Sequence, residues 1–341
     1  MRTVDTALAL SMLTYFPELS HGGHGCIGEF FDRYFDSPAG ERPETMFSGL
    51  CPDERSGVVA AMARLRESGR FYDMRIACDS TGSRRFNSFC VTDGCGTAYV
   101  VIGGNYRTGF YRSRSGVTSS WCDNFLGAVQ ETTIEQREIL EFYDRAVSRL
   151  SGERIVVCGH SKGGNLAQYI TLMRDSAEVC YSFDGQGFSE AFIKAHKGLI
   201  EERGGRIVSI CPRRSIVGGA LTPIGTAKRL IIKERPVRRG VLYSHIPAAL
   251  FDRYLQLGEA AEKPSLISKA AGRVSVRTVW LAQKLPFISA ENGLGHMGRA
   301  LQFVFKGRPR RGLAELMSFD ALVMLLLLPA EVPGAVFFGK E

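Results

Sequence analysis

Between positions 154 and 211 the chain alternates short apolar runs with helix-length stretches, and this rhythm constrains the fold more than any other feature. RIVVC (154–158), EVCYSF (178–183) and RIVSIC (206–211) read as strands. Helices are expected over 165–173 and 190–203, and KRLIIK (228–233) reads as a further strand. Runs apolar at every position suit strands buried on both faces, and strands alternating with helices require crossovers, hence a parallel sheet. Upstream, MRIAC (74–78), NSFCVT (87–92) and TAYVVIG (97–103) are separated by turn residues at 80–83 and 93–96, which suggests an antiparallel entry into the same sheet. The expected class is α/β, a mostly parallel central sheet with helices on both faces. Such sheets place their sites at the carboxyl ends of the strands.

The ends of the chain have a different character. Apolar residues recur at helical spacing over 6–16, 27–35 and 54–67, a helical preamble to the sheet. Ahead of the 154–158 strand, Ile139, Phe142, Tyr143, Ala146 and Leu150 mark one face of another helix, for which Thr132 and Glu135 suit a capping box. From Lys263 onward, eleven Lys and Arg face five Asp and Glu, so this tail carries six of the chain's eight net positive charges. A division into a body over 1–262 and a basic, mainly helical extension over 263–341 follows. The apolar run ALVMLLLLPA (321–330) is about half as long as the roughly 20 residues a spanning helix needs. Nine scattered cysteines without paired short spacings fit free thiols in a reducing compartment. The first nineteen residues lack a signal-peptide pattern, because Asp5 interrupts the apolar stretch and no small-residue cleavage site follows. A cytoplasmic location is expected.

The segment RIVVCGHSKGGNLAQY (154–169) carries the chemistry. Gly159-His160-Ser161-Lys162-Gly163 has the G-x-S-x-G form directly after a buried strand and directly before a helix, the context a nucleophile elbow requires. Gly159, Gly163 and Gly164 keep the strained turn free of clashes, and the following helix aims N–H groups at a developing oxyanion. Ser161 is therefore the expected nucleophile. Of six histidines, His160 lies in the elbow with its ring expected to point away from the hydroxyl, and His196 falls inside a helix. His245, in VLYSHIPAAL just beyond the last strands, is the stronger candidate for the base, and His296, in the basic tail, is the other. An orienting acid between serine and histidine in chain order points to Asp184 in YSFDGQGF, immediately after the strand that follows the elbow helix. The oxyanion hole is expected from the N–H of Lys162 and from Gly104 and Asn105, in the turn that ends TAYVVIGGN.

These elements, with Trp121, Asn124 and Phe125 in a W-x-x-N-F pattern, CPRRSIVGG (211–219) and YSHIP, form an ordered set. The set resembles a family of uncharacterised bacterial lipase-like α/β-hydrolases, distantly similar to the class 3 (fungal-type) triacylglycerol lipases, over roughly positions 5–255. The resemblance implies an α/β-hydrolase fold with Ser161 as nucleophile, His245 as base and Gly104-Asn105 as hole segment. Class 3 lipases take their acid after a later strand, where this chain has Ser215. Asp184 is accordingly placed one strand earlier.

The sequence thus suggests a lipase- or esterase-type serine hydrolase acting on a small-molecule or lipid ester, with no cofactor. The alternative is a degenerate hydrolase fold kept as a binding module. HGGHGC (21–26) offers two imidazoles and a thiol to a metal, but glycines at this spacing read more simply as a flexible connection. No nucleic-acid motif accompanies the basic tail, so nucleic acid is not an expected partner. The simpler reading of its charge is a solvated face, and peripheral contact with an anionic membrane is the alternative, because LQFVF and VMLLLL set apolar residues beside the charges.

Overall fold

The structure, a computed structural model, describes residues 2–16, 19–20, 23–36, 52–81, 83, 87–104, 111–113, 116–118, 120–225, 230–233, 243–252, 254–286, 289–305, 309–318 and 321. Asn105, His21, the segment 306–308 and nearly all of the apolar run 321–330 lie outside these residues.

Among the described residues, β1 (Arg75–Asp79), β2 (Ser88–Thr92) and β3 (Thr97–Ile102) enter the main sheet antiparallel, and β4 (Tyr111–Ser113) pairs with β5 (Gly116–Thr118) in a separate hairpin. From β3 onward the main sheet is parallel. It continues through β6 (Arg154–His160), β7 (Val179–Phe183), β8 (Ile207–Pro212) and β9 (Leu230–Ile232), in the spatial order β1-β2-β3-β6-β7-β8-β9. Period-two alternation splits each strand between two cores. Tyr99, Val101, Val156 and Cys158 belong to one, and Ala98, Val100, Ile155 and Val157 to the other. The sheet, its flanking helices and the elbow at the end of β6 make this an α/β-hydrolase fold.

The strand order dictates how the faces are covered. Each parallel strand is added on the same side of its predecessor, so right-handed crossovers all fall on one face. Helices α5 (Ile134–Val147), α6 (Lys162–Met173), α7 (Glu190–Ala195) and α8 (Lys197–Arg203) supply that layer, through residues such as Phe142, Tyr143, Ile170 and Phe192. The expected single helix over 190–203 breaks at His196, the residue between α7 and α8.

The opposite face receives no crossover and is closed by the N-terminus. Helices α1 (Thr3–Leu13), α2 (Ile27–Asp36) and α3 (Pro52–Glu67) contribute Leu8, Leu10, Phe30, Phe31, Met62 and Leu65 to its core, joined by Ala248 and Leu250 of the 3-10 turn Pro247–Leu250. Every residue of α1 from Asp5 to Leu13 is buried, as its sequence TALALSML, free of charge after Asp5, requires. Asp5 takes a bidentate bond from Arg2 and accepts the N–H of Leu257 at 2.8 Å, tying the first helix to the end of the body. The helical preamble is thus one full layer of the fold.

The capping box of α5 sits one residue later than expected. Thr133 is the N-cap, its Oγ1 accepting from the Gln136 N–H at 3.3 Å while the Gln136 side chain accepts from the Thr133 N–H at 2.9 Å. In TTIEQ, both Thr132 with Glu135 and Thr133 with Gln136 satisfy the S/T-x-x-E/Q spacing. The choice falls on the later pair because Glu135 is engaged in the ion pair described below. Thr133→Ala is expected to cost about 1 kcal/mol in a urea titration, and Thr132→Ala, which leaves the box intact, less.

Beyond the body lie α9 (Leu266–Lys284), α10 (Ala290–Phe305) and α11 (Pro309–Leu316). Helix α10 packs on α4 (Ser120–Leu126), with Phe125, Ala290, Leu294 and Met297 in one small apolar cluster. Among the described residues, no helix is long and apolar enough to cross a membrane.

Candidate functional site

The ends of β6 and β7 step across the sheet and deliver two unusual residues side by side. Ser161 follows β6 with φ 59° and ψ −126°, and Asp184 follows β7 with φ 49°. Both positive φ values belong to non-glycine residues, which only a well-supported site maintains. The support is the sheet itself: the Ser161 N–H bonds the Phe183 carbonyl at 2.9 Å, and the Asp184 N–H bonds the Ile210 carbonyl at 2.7 Å. Helix α6 begins at the next residue. Its second position must be glycine, because a Cβ on Gly163 would come within 2.2 Å of the Ile102 carbonyl of β3.

The structure brings Ser161, His245 and Asp184 into one chain of hydrogen bonds. His245 ends the 3-10 turn Tyr243–His245, and its Nε2 lies 2.9 Å from Ser161 Oγ. Its Nδ1 lies 2.7 Å from Asp184 Oδ2. Asp184 is fully buried, Ser161 is 9% exposed and the His245 side chain 26%, so the acid is sealed while base and hydroxyl border solvent. With the Nδ1–H donated to a carboxylate, Nε2 is left as the acceptor for the serine proton. His296 is elsewhere, its Nδ1 2.7 Å from Glu315 Oε2 in a cluster with Arg299 that fastens α11 to α10.

Ser215, which the resemblance set against the acid position of class 3 lipases, bonds Asp184, the residue after β7. Its hydroxyl donates a short bond to Asp184 Oδ1, and the Gly218 N–H donates to the same oxygen at 3.0 Å. One carboxylate oxygen thus faces the imidazole while the other is held by two donors.

On the hole side, Gly104 lies against the elbow, and a Cβ there would approach the His160 carbonyl to 2.9 Å and Ser161 Cβ to 3.5 Å. Lys162 is the first residue of α6, next in the chain to Ser161. Asn105 is outside the described residues. In HGGHGC, His24 is buried and edge-on to Phe30, and no group of three or more potential metal ligands clusters among the described residues.

Two features went unseen in the sequence. The first is the use of His160. Its Nε2 donates to the His245 carbonyl at 2.5 Å, while Nδ1 accepts a short bond from the Tyr15 hydroxyl just beyond α1. Burial, reinforced by the neighbouring His245, holds its pKa well below the ordinary value, so it serves as a neutral strut in one tautomer. The unfolded chain binds a proton near pH 6.5 that the folded His160 refuses. Stability is therefore present above that pH and lost as pH falls from it towards the depressed folded value. His160→Phe keeps a ring of similar volume and is expected to flatten that acid-side loss in melts recorded against pH. It is also expected to slow Ser161 chemistry by about 10- to 100-fold through misplacement of His245.

The second is a buried charge cluster. Lys162 Nζ lies 2.7 Å from Asp123 Oδ2 and 3.1 Å from Glu135 Oε2, with all three side chains at most 4% exposed. Burial pushes the lysine pKa down, but the two carboxylates outweigh it and hold the pKa above the usual value. Asp123 Oδ1 also accepts the N–H of Ile134 at 3.1 Å, in the first turn of α5. The cluster therefore locks the residue after Ser161 to two other helices. Asp123 sits inside the W-x-x-N-F element, so the motif was visible although its charge partner was not.

A family model described as Mbeg1-like matches residues 97–239, from β3 through β9. No curated protein matches. Among solved structures, one titled as a fungal lipase is similar at 12% identity and a TM-score of 0.38, covering 71% of this chain and 83% of that one. A mutant form of MDLA from Penicillium cyclopium is 14% identical with a TM-score of 0.32, covering 70% and 83%. The Rhizomucor miehei lipase in complex with its propeptide is 14% identical with a TM-score of 0.30, covering 73% and 81%. Strand order and the elbow carry the fold assignment.

Proposed function

We propose that the protein is a serine hydrolase of carboxylic esters. The observation that carries the reading is the continuous chain Ser161 Oγ, His245, Asp184, with steps of 2.9 and 2.7 Å. In this mechanism His245 Nε2 takes the Ser161 proton as Oγ attacks the ester carbonyl carbon. The oxyanion is met by the N–H of Lys162 and by the Gly104-Asn105 segment, at the positive end of α6. The imidazolium then protonates the departing alcohol, leaving an acyl group on Ser161. Water, activated by the same histidine, releases the carboxylic acid. Asp184 holds the ring in the required tautomer and stabilises its charged form.

A fluorophosphonate probe is expected to label Ser161, with peptide mass mapping to locate the adduct. A folded protein that resists the probe, with Ser161 unmodified, fits the alternative of a degenerate binding module and would overturn the hydrolase reading. The Ser161-to-His245 separation is already within hydrogen-bond reach, which favours the enzyme over that alternative.

A further inference from the structure

We infer that the outer face of α9 docks on an anionic lipid surface. At 100° per residue, Leu266, Lys269, Arg273, Arg277, Trp280 and Lys284 fall within an arc of about 80°, a single stripe about 27 Å long. All six are exposed, Leu266 at 80% and Trp280 at 47%. The helix LISKAAGRVSVRTVWLAQK contains four cations and no acidic residue.

The opposite side of α9 is small and polar, and it is occupied. Ser268 and Thr278 are buried, Gly272 meets the Gly219 carbonyl, and Ser275 Oγ accepts the Leu221 N–H at 3.2 Å. With its inner face spent on the 218–222 loop, α9 presents the cationic stripe to whatever approaches from outside. The apolar ends of the stripe select among anionic partners. A leucine exposed at 80% gains nothing from a phosphate backbone, whereas a bilayer interface takes up leucine and tryptophan while anionic headgroups meet the cations. Lys284 Nζ, 5.9 Å from the Trp280 ring centre, places charge and aromatic together as that interface requires. The surface is independent of the Ser161 chemistry.

The test is flotation of the full chain with vesicles of phosphatidylcholine alone and of phosphatidylcholine mixed with phosphatidylglycerol. The wild type is expected to float only with the anionic vesicles and to be released by high salt. Each cation near such a surface is worth roughly fivefold in binding, so Lys269→Glu/Arg273→Glu/Arg277→Glu should bind at least about a hundredfold more weakly. Trp280→Ala removes no charge and should weaken binding to the same vesicles, a second reading should the triple variant misfold. Ser161→Ala should float as the wild type does, which separates this inference from the hydrolase reading. Equal flotation on neutral lipid, wild-type binding by a folded triple variant, or preference for duplex DNA over vesicles would each overturn it.

Discussion

Replacing Ser161 is expected to abolish ester hydrolysis while leaving the protein folded, and one replacement should stabilise it. Ser161→Ala removes the attacking oxygen, and loss of such a nucleophile costs on the order of 10⁶-fold in kcat where the hydroxyl and base act as a unit. Fluorophosphonate labelling disappears with it. Ser161→Gly removes the same oxygen and also relaxes the backbone, because φ 59° with ψ −126° suits glycine and strains any other residue. Relief of about 1–3 kcal/mol exceeds the roughly 0.5–1 kcal/mol that glycine loses through a more flexible unfolded chain. The glycine variant should therefore melt above the alanine variant, at or above the wild type, with no activity. Calorimetry on the three proteins checks this, and a glycine variant melting below the alanine variant would show that the elbow stores no such strain.

The largest loss of stability is expected from Lys162→Met. A buried ion pair is a weak source of stability as a whole, but removing one partner leaves uncompensated charge in a dry interior, at about 3–5 kcal/mol. Here two carboxylates, Asp123 and Glu135, are left facing each other. Adding Asp123→Asn and Glu135→Gln to Lys162→Met removes the orphaned charge and should recover much of the loss, which denaturant titration of the variants would measure. The lysine pKa is raised in the folded state, so its contribution is full below the unfolded value of 10.5 and declines as pH rises through the higher folded one. An alkaline fall in the melting temperature that Lys162→Met lacks is the signature. Because the residue's own N–H is one of the proposed oxyanion donors, even a folded Lys162→Met should react slowly.

Much of the fold was legible because its signals are local. An apolar run of five residues before a glycine-rich turn can be read without knowing its neighbours, and so can the alternation from 154 to 211. Ser161, Asp184 and His245 each follow from position: one ends a strand, one ends the next, and one comes later in a loop. What sequence left unread is pairing at a distance. Lys162 finds Asp123 across 39 positions and His160 finds Tyr15 across 145, and nothing in residue type announces either choice. The Ser215 hydroxyl was visible only as a missing carboxylate, because its use depends on Asp184 reaching the same point from another strand. Asn105 and VMLLLL fall outside the described residues and stand as the sequence reads them, whereas LQFVF closes α10.

The one-sided winding of the sheet also bears on the order in which this molecule is completed. Helix α1 precedes the whole sheet in the chain, yet it packs on β3, β6, β7 and the turn at Pro247–Leu250, and its Asp5 waits for Leu257. Its sheet partners and Leu257 lie far along the chain, so its docking is complete only once Leu257 has been made. Tyr15 arrives with it, completing the strut through His160 to His245. The strut behind His245 is thus complete only once the first helix is in place. Any local opening that releases the first helix loosens the base before the strands that carry Ser161 and Asp184 separate.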